Sequence, residues 1–381
     1  TLGPALFATK DWTAPEVEMA YTRAHVLCRE LGESPDLFPA LWGLFLFRIA
    51  RGEIQTALDQ GGQLLGLAQH VQDPALLLQA HHALGPTYTL VGDWTSARTH
   101  LDQAIGHYDL REHRMHAFLY GGHDPCVCCL GFAAKSLWML GYPEQALQRG
   151  REALELAREL GHPASLAHAQ LSVAILHQFR RDVSETLELA EALQGLAADQ
   201  GLLFYLAGGS VLRGWALVER GRSSEGMAQI RQGFDMGGAT RAHWRAYSLA
   251  LLAETCGKVG NMTEGLTFLA EALTVVEETG IRIYEPEMHR LKGEFLLALD
   301  PEKVADAEAC FGQAVAIARR HQAKSLELRA TMSLARLWQR QGRGNEAHAA
   351  LAAVCGTYTE GLATPDLVDA TAQLKSLTFD H

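Results

Sequence analysis

The chain is predicted to be all-α, a solenoid of about eight antiparallel helix pairs with a further helix at each end. Three observations carry this. A frame of small and large residues recurs about every forty positions, glycine stands where each frame must turn, and apolar residues follow a helical period with no alternating run that reads as a strand. A hydrophobic content of 48% is ample for a continuous core, and 20% charge argues against long disordered tails in a chain of 381 residues.

The frame runs from a small residue seven positions to a turn glycine, five to a second small residue and four to a large apolar one. Its clearest copy is Gly85, Gly92, Ala97, Leu101 and Ala104. It returns at Ala134, Gly141, Ala146 and Ala153, at Gly214, Gly221, Gly226 and Ile230, at Ala253, Gly260, Gly265, Leu269 and Ala272, and at Ala335, Gly342, Ala347 and Leu351. Weaker copies are Gly52 with Ala57, Ala174 with Arg181 and Thr186, and Gly293 with Ala307 and Phe311 after a longer turn. Antiparallel helices approach closely only where small side chains meet, while large ones fill the space between. The glycines close the last turn of each first helix in a left-handed conformation. Together these features predict a right-handed tetratricopeptide-type α-solenoid.

In chain order, residues 1–33 read as a partial N-terminal repeat. Pro15 to Leu31 forms one helix with Val17, Ala20, Ala24, Leu27 and Cys28 inward, and Leu2 to Ala8 precedes it without a start methionine or capping chemistry. The chain is therefore expected to be the C-terminal part of something larger. Residues 34–361 hold the repeats, with Pro74, Pro163, Pro286 and Pro365 near helix starts, where a missing N–H costs nothing. Residues 362–381 supply a cap, with Leu367, Ala370, Leu374 and Leu377 on one face of a helix from Thr364 to Thr378.

One interval, Gly92 to Gly141, is longer than the rest by roughly nine residues. It contains Tyr120-Gly-Gly-His-Asp-Pro-Cys-Val-Cys-Cys129, a glycine-rich turn in which Asp124 caps a helix opened by Pro125. An insertion in a uniform solenoid projects on one face, so Tyr120, His123 and Asp124 are expected to form a recognition loop. Metal ligation by His123, Asp124, Cys126 and Cys129 is the competing reading. It lacks a second separated ligand pair, so capping with buried thiols is preferred and no metal or cofactor is assigned.

Several functions are disfavoured. The formal charge of −11 comes without a basic run; Arg319, Arg320, Lys324, Arg329, Arg336, Arg340 and Arg343 are interleaved with Glu327, Glu346 and Glu360, so nucleic acid is not an expected partner. The Gly257-Lys258 pair lacks the rest of a phosphate loop, and no nucleophile elbow or His-Glu-x-x-His pair occurs, so no catalytic residue is assigned. Cys28, Cys256, Cys310 and Cys355 sit singly in apolar helical patterns, which points to a reducing compartment. With no signal peptide and no membrane-length apolar stretch, a cytoplasmic location is expected.

Positions flanking the small residue of each first helix line the concave wall of a solenoid. That rule selects Trp42, His82, Lys135, Trp138, His168, Gln178, Trp215, Tyr247, Glu254, Arg290, Glu294 and Arg336 as exposed groove residues. Aromatic anchors mixed with both charges suit a protein or peptide partner, or a small ligand.

Longer strings carry a family resemblance. LGPALFATK (2–10), ELGESPDLFPALWGL (30–44), FLYGGHDPCVCCLGFAAKSLWMLGYPEQAL (118–147), LHQFRRDV (176–183), IRQGF (230–234) and AKSLELRATMSLARLWQRQG (323–342) resemble the C-terminal tetratricopeptide region of bacterial multidomain signalling ATPases, including adenylate and guanylate cyclases. Cys126, Cys128 and the Gly237-Gly238 pair depart from that pattern, and the two glycines are expected to interrupt the helix pair there. The resemblance implies a sensing or partner-binding region attached to an N-terminal nucleotide-binding switch or cyclase. The expected function is therefore a non-catalytic sensor and interaction scaffold, with a structural spacer or homo-oligomerisation arm as the alternative.

Overall fold

The computed structural model describes residues 14–30, 37–237 and 242–378. The expectations about Leu2 to Ala8, about residues 31–33 and about Gly238 lie outside the described residues. Every element of the remainder is helical. A single helix α1 (Pro15–Glu30) precedes the pairs α2 (Leu37–Arg51) with α3 (Ile54–Val71) and α4 (Pro74–Val91) with α5 (Trp94–His107). Two one-turn helices, α6 (Leu110–His113) and α7 (His116–Leu119), fill the long interval. The pairs resume with α8 (Pro125–Met139) and α9 (Pro143–Leu160), α10 (Pro163–Phe179) and α11 (Val183–Gln200), and α12 (Leu203–Glu219) and α13 (Ser223–Gly237). Then come α14 (Ala242–Lys258) and α15 (Met262–Thr279), α16 (Glu285–Leu299) and α17 (Val304–Arg320), α18 (Lys324–Arg340) and α19 (Gly344–Cys355), and the cap α20 (Pro365–Thr378). Among the described residues this gives eight pairs between two terminal helices, a tetratricopeptide-like α-solenoid.

The small residues do what their spacing requires. Ala97, Ala134, Ala146, Ala253, Ala335 and Ala347 are fully buried, and Leu101, Ile230, Leu269 and Leu351 fill the space beside them. At Gly214 and Gly226 the two helices of a pair touch main chain to main chain: a Cβ on Gly214 would stand 2.6 Å from the Gly226 carbonyl oxygen. Turn glycines such as Gly92 (φ 82°) take the left-handed conformation. In the fourth pair Arg181 takes that place at φ 64°, a conformation non-glycine residues rarely adopt. Its guanidinium reaches Asp366 and Asp369 on α20 at 3.2 and 2.7 Å.

Two details differ from expectation. On α1 the buried face is Val17, Tyr21 and Cys28, whereas Leu27 is exposed, because the Tyr21 ring packs onto Gly43 of α2 and sets the helix rotation. Gly237 ends α13 rather than interrupting a pair.

The solenoid also closes on itself. A repeat array ordinarily makes only neighbour contacts, yet here the turns of early pairs meet the late ones. Arg282 donates its main-chain N–H to the Leu90 carbonyl at 2.8 Å, beside a cluster of Ile54, Leu90 and Ile281. Ser325 on α18 donates to the Trp138 carbonyl, and Thr95 donates to Gln322 at 2.6 Å. Glu360 accepts from the main-chain N–H groups of Glu144 and Gln145 at 2.9 and 3.1 Å, capping α9 from the far end of the chain. This seam places the concave wall inside the molecule.

Candidate functional site

The first helices of successive pairs line the interior, and two cavities lie between them. An apolar chamber of about 390 Å³ is lined from α2, α4, α8, α10, α12 and α14 and by the loop at 120–123. Trp42, Phe45, Phe132, Phe204, Tyr205, Trp244 and Tyr247 form its aromatic surface, and Leu171, Ile175 and Leu203 its aliphatic one. The lining holds no carboxylate or arginine among the described residues; its cation is Lys135. Burial pulls the Lys135 ammonium down to about 8, and its nitrogen sits 3.7 Å from the Phe132 ring centroid.

The inserted loop closes one side of this chamber. Asp124 caps α8, accepting from the N–H groups of Cys126 and Val127 at 2.9 and 3.0 Å, and takes a further hydrogen bond from the Tyr108 hydroxyl at 2.8 Å. Burial raises its carboxyl, with those hydrogen bonds acting in the opposite direction. Capping holds Tyr120, Gly121, Gly122 and His123 against the chamber, where His123 stacks on His168 at 4.3 Å. Tyr120 meets Trp42 edge to face at 5.5 Å, and the Trp42 and His82 rings lie 5.3 Å apart.

A second chamber of about 490 Å³ lies between α10, α12, α14, α16, α18 and α20, and it is charged. Glu287 and Arg290 pair through two contacts of 2.6 and 2.9 Å. Burial pushes the Glu287 carboxyl up, but the Arg290 guanidinium outweighs it and holds the group below its usual range. Glu294 accepts from Ser333 at 2.6 Å and from Arg336 at 3.0 Å. Glu254 is held differently: Trp215 donates to Oε1 at 3.3 Å, Oε2 is buried without a hydrogen-bond partner, and burial followed by the nearby Glu287 raises its carboxyl.

The groove rule thus separates into two groups. Trp42, His82, Lys135, His168 and Tyr247 line the apolar chamber, and Gln178, Trp215, Glu254, Arg290, Glu294 and Arg336 line the charged one. Trp138 reaches neither; it packs in the core beneath the Arg180 guanidinium. Most of these side chains are buried rather than exposed, because the seam encloses the wall. The basic residues near the C-terminus are likewise matched with acids: Arg319 with Glu327, Arg329 with Asp366, and Arg343 with Glu308 and Glu346.

The four-residue ligand set considered around the cysteines does not assemble. Asp124 is spent on capping, Cys126 packs with Val127, Leu130 and Ala153, and Cys129 packs with Leu78, Ala97 and Leu101. Cys128, on the other side of α8, faces the chamber instead. Phe204, Tyr205 and Trp244 escaped the sequence rule because they lie in the first turns of their helices, ahead of the frame.

No family model matches this sequence. An uncharacterized protein of Rhizobium meliloti is 26% identical over 342 residues, covering 88% of this chain but 33% of that protein, so the chain spans about a third of this relative's length. Among solved structures, a Rap protein complexed with competence and sporulation factor superposes with a TM-score of 0.62 at 10% identity, over 96% of this chain and 95% of that one. NprR in complex with its cognate peptide NprX gives 0.55 at 14% identity, over 86% and 92%. A human IFIT1 dimer with PPP-AAAA gives 0.50 at 13% identity, over 91% and 79%. These proteins share the tetratricopeptide-like solenoid; the fold by itself does not choose the ligand.

Proposed function

We propose that this chain is the non-catalytic binding region of a larger signalling protein and that it receives a peptide or protein segment inside its closed solenoid. The apolar chamber carries the reading. It offers aromatic and aliphatic surface enough to desolvate one or two large side chains, with Lys135 placed to meet a carboxylate.

NprR in complex with its cognate peptide, with the same architecture, supports a peptide over other ligands. The greater length of the Rhizobium meliloti relative supports residues 34–361 as the receiving module of a longer chain, with 362–381 as its cap. In the resembling signalling ATPases the preceding part is a nucleotide-binding switch or cyclase, and we assign this chain the same place.

Panning random peptides on the immobilised protein tests the reading. Enriched peptides should share an aromatic or aliphatic residue next to an acidic group or C-terminus. Fluorescence anisotropy of one such peptide should show at least tenfold weaker binding to Lys135→Met, which removes the ammonium and keeps an unbranched apolar stem. No enrichment, or equal binding by the variant, would sink the proposal.

A further inference from the structure

Three side chains with metal-ligating chemistry converge on the apolar chamber from separate elements: His82 on α4, His123 in the inserted loop and Cys128 in the first turn of α8. One nitrogen of each imidazole and the Cys128 sulfur all lie within 4.8 Å of one another. In a tetrahedral site with metal–nitrogen bonds of about 2.0–2.1 Å and a metal–sulfur bond of about 2.3 Å, the donor atoms stand roughly 3.3–3.6 Å apart. The trio has only to draw in by about an ångström. His123 is carried into the chamber by the loop after Gly121 and Gly122, whose φ values are 124° and 79°.

The hydrogen bonds around His82 prepare it for this role. Its Nδ1 lies 3.0 Å from Gln79 Oε1, an oxygen that only accepts, so Nδ1 carries the hydrogen and Nε2 keeps its lone pair. Gln79 Nε2 lies 2.8 Å from His116 Nδ1, so one amide bridges the two rings. An outer partner that fixes the tautomer is the usual companion of a ligating histidine.

We propose that His82, His123 and Cys128 form a three-ligand site for a zinc-class divalent transition metal, with the fourth coordination position opening into the chamber. Two imidazole nitrogens and one thiolate match the borderline-soft preference of Zn²⁺, and oxygen-seeking Mg²⁺ or Ca²⁺ would not compete. On binding, the metal forms bonds to the two nitrogens and to sulfur, and the thiol proton leaves to solvent. The site stands whether or not a peptide occupies the chamber.

Zinc loading of the full chain followed by gel filtration and elemental analysis tests this, with Co²⁺ as the spectroscopic probe. The wild type should retain one zinc per chain, and its cobalt form should show thiolate-to-metal charge-transfer absorption. Cys128→Ser and His123→Ala should bind at least tenfold more weakly and Cys128→Ser should lose the charge-transfer band, whereas Cys129→Ala, whose thiol packs elsewhere, should keep both. Zinc should raise the melting midpoint of the wild type and leave that of His123→Ala unchanged. Should Cys128→Ser fail to fold, His123→Ala decides, because its loop position spares the core. A wild type that retains no zinc, or retention that survives His123→Ala, overturns the proposal.

Discussion

Tyr247 donates its phenolic hydrogen to Gln178 Oε1 across 2.8 Å, and the two residues face different chambers. The bond lies in a wall completed by Phe179 and Tyr284, whose rings stack at 5.5 Å. Tyr247→Phe leaves the Gln178 carbonyl buried without its donor, which should cost about 1–3 kcal/mol. Denaturant melts of Tyr247→Phe beside the Tyr247→Phe/Gln178→Leu double variant check this. Recovery of most of the loss in the double variant marks the cost as that of the stranded carbonyl.

Glu254 should respond to pH in the opposite sense to its paired neighbours. Its folded carboxyl is raised above the ordinary value, so the folded state binds the proton more tightly than the unfolded state. Its ionisation therefore begins to destabilise the fold as pH rises past the unfolded value, and the full cost is present above the folded one. Glu254→Gln should thus melt higher than the wild type at neutral pH, with the difference shrinking as pH falls through the raised folded value and gone below about 4.3. Melting midpoints of both proteins across that range are the measurement.

Arg329 ties the seam together. It pairs with Asp366 at 2.7 Å and donates to the Phe179 carbonyl, so one side chain joins α18, α20 and the end of α10. Burial works against its charge, but Asp366 and Glu287 outweigh it and raise the guanidinium further. Arg329→Met should cost about 1–3 kcal/mol, since Asp366 loses one of its two guanidinium partners and the Phe179 carbonyl loses its donor while Arg181 still reaches Asp366. Hydrogen exchange at the Arg282 amide, bonded across the seam to Leu90, should speed up in the variant.

Leu203 separates binding from stability. It lines the apolar chamber but is 71% exposed, so Leu203→Asp should leave the melting midpoint within the effect of about 0.5 kcal/mol. An anchored peptide should nonetheless bind at least tenfold more weakly, because the carboxylate puts a charge at an apolar rim. Anisotropy and melting on one preparation read both quantities.

Local spacing disclosed the pairs because helix contact is a local matter: Ala97 and Ala134 are small where the next helix crosses them. The choice of Trp42, Lys135 and Tyr247 followed from the same logic, since their positions on first helices place them on the inner wall. Spacing had no access to the seam. Ser325 and Trp138 are 187 positions apart, and a contact at that separation leaves no period to read. The removal of Trp138 from the wall follows from it, whereas Trp42 is buried by its near neighbours Phe45, His82 and Tyr120. The cysteines show the same limit on a smaller scale, for the rotation of α8 about its axis decides that Cys128 meets the chamber while Cys126 and Cys129 meet core.

An open solenoid is a spring: each repeat yields a little, and strain applied at one end dies away along the stack. The seam turns that spring into a latched ring, held by polar contacts around Arg329, Ser325 and Glu360 and by the apolar cluster of Ile54, Leu90 and Ile281. A reversal from mostly latched to mostly unlatched takes about 5.5 kcal/mol. Phe179 lends its ring to the apolar chamber and its carbonyl to the latch, so an occupant pressing on the one is mechanically geared to the other.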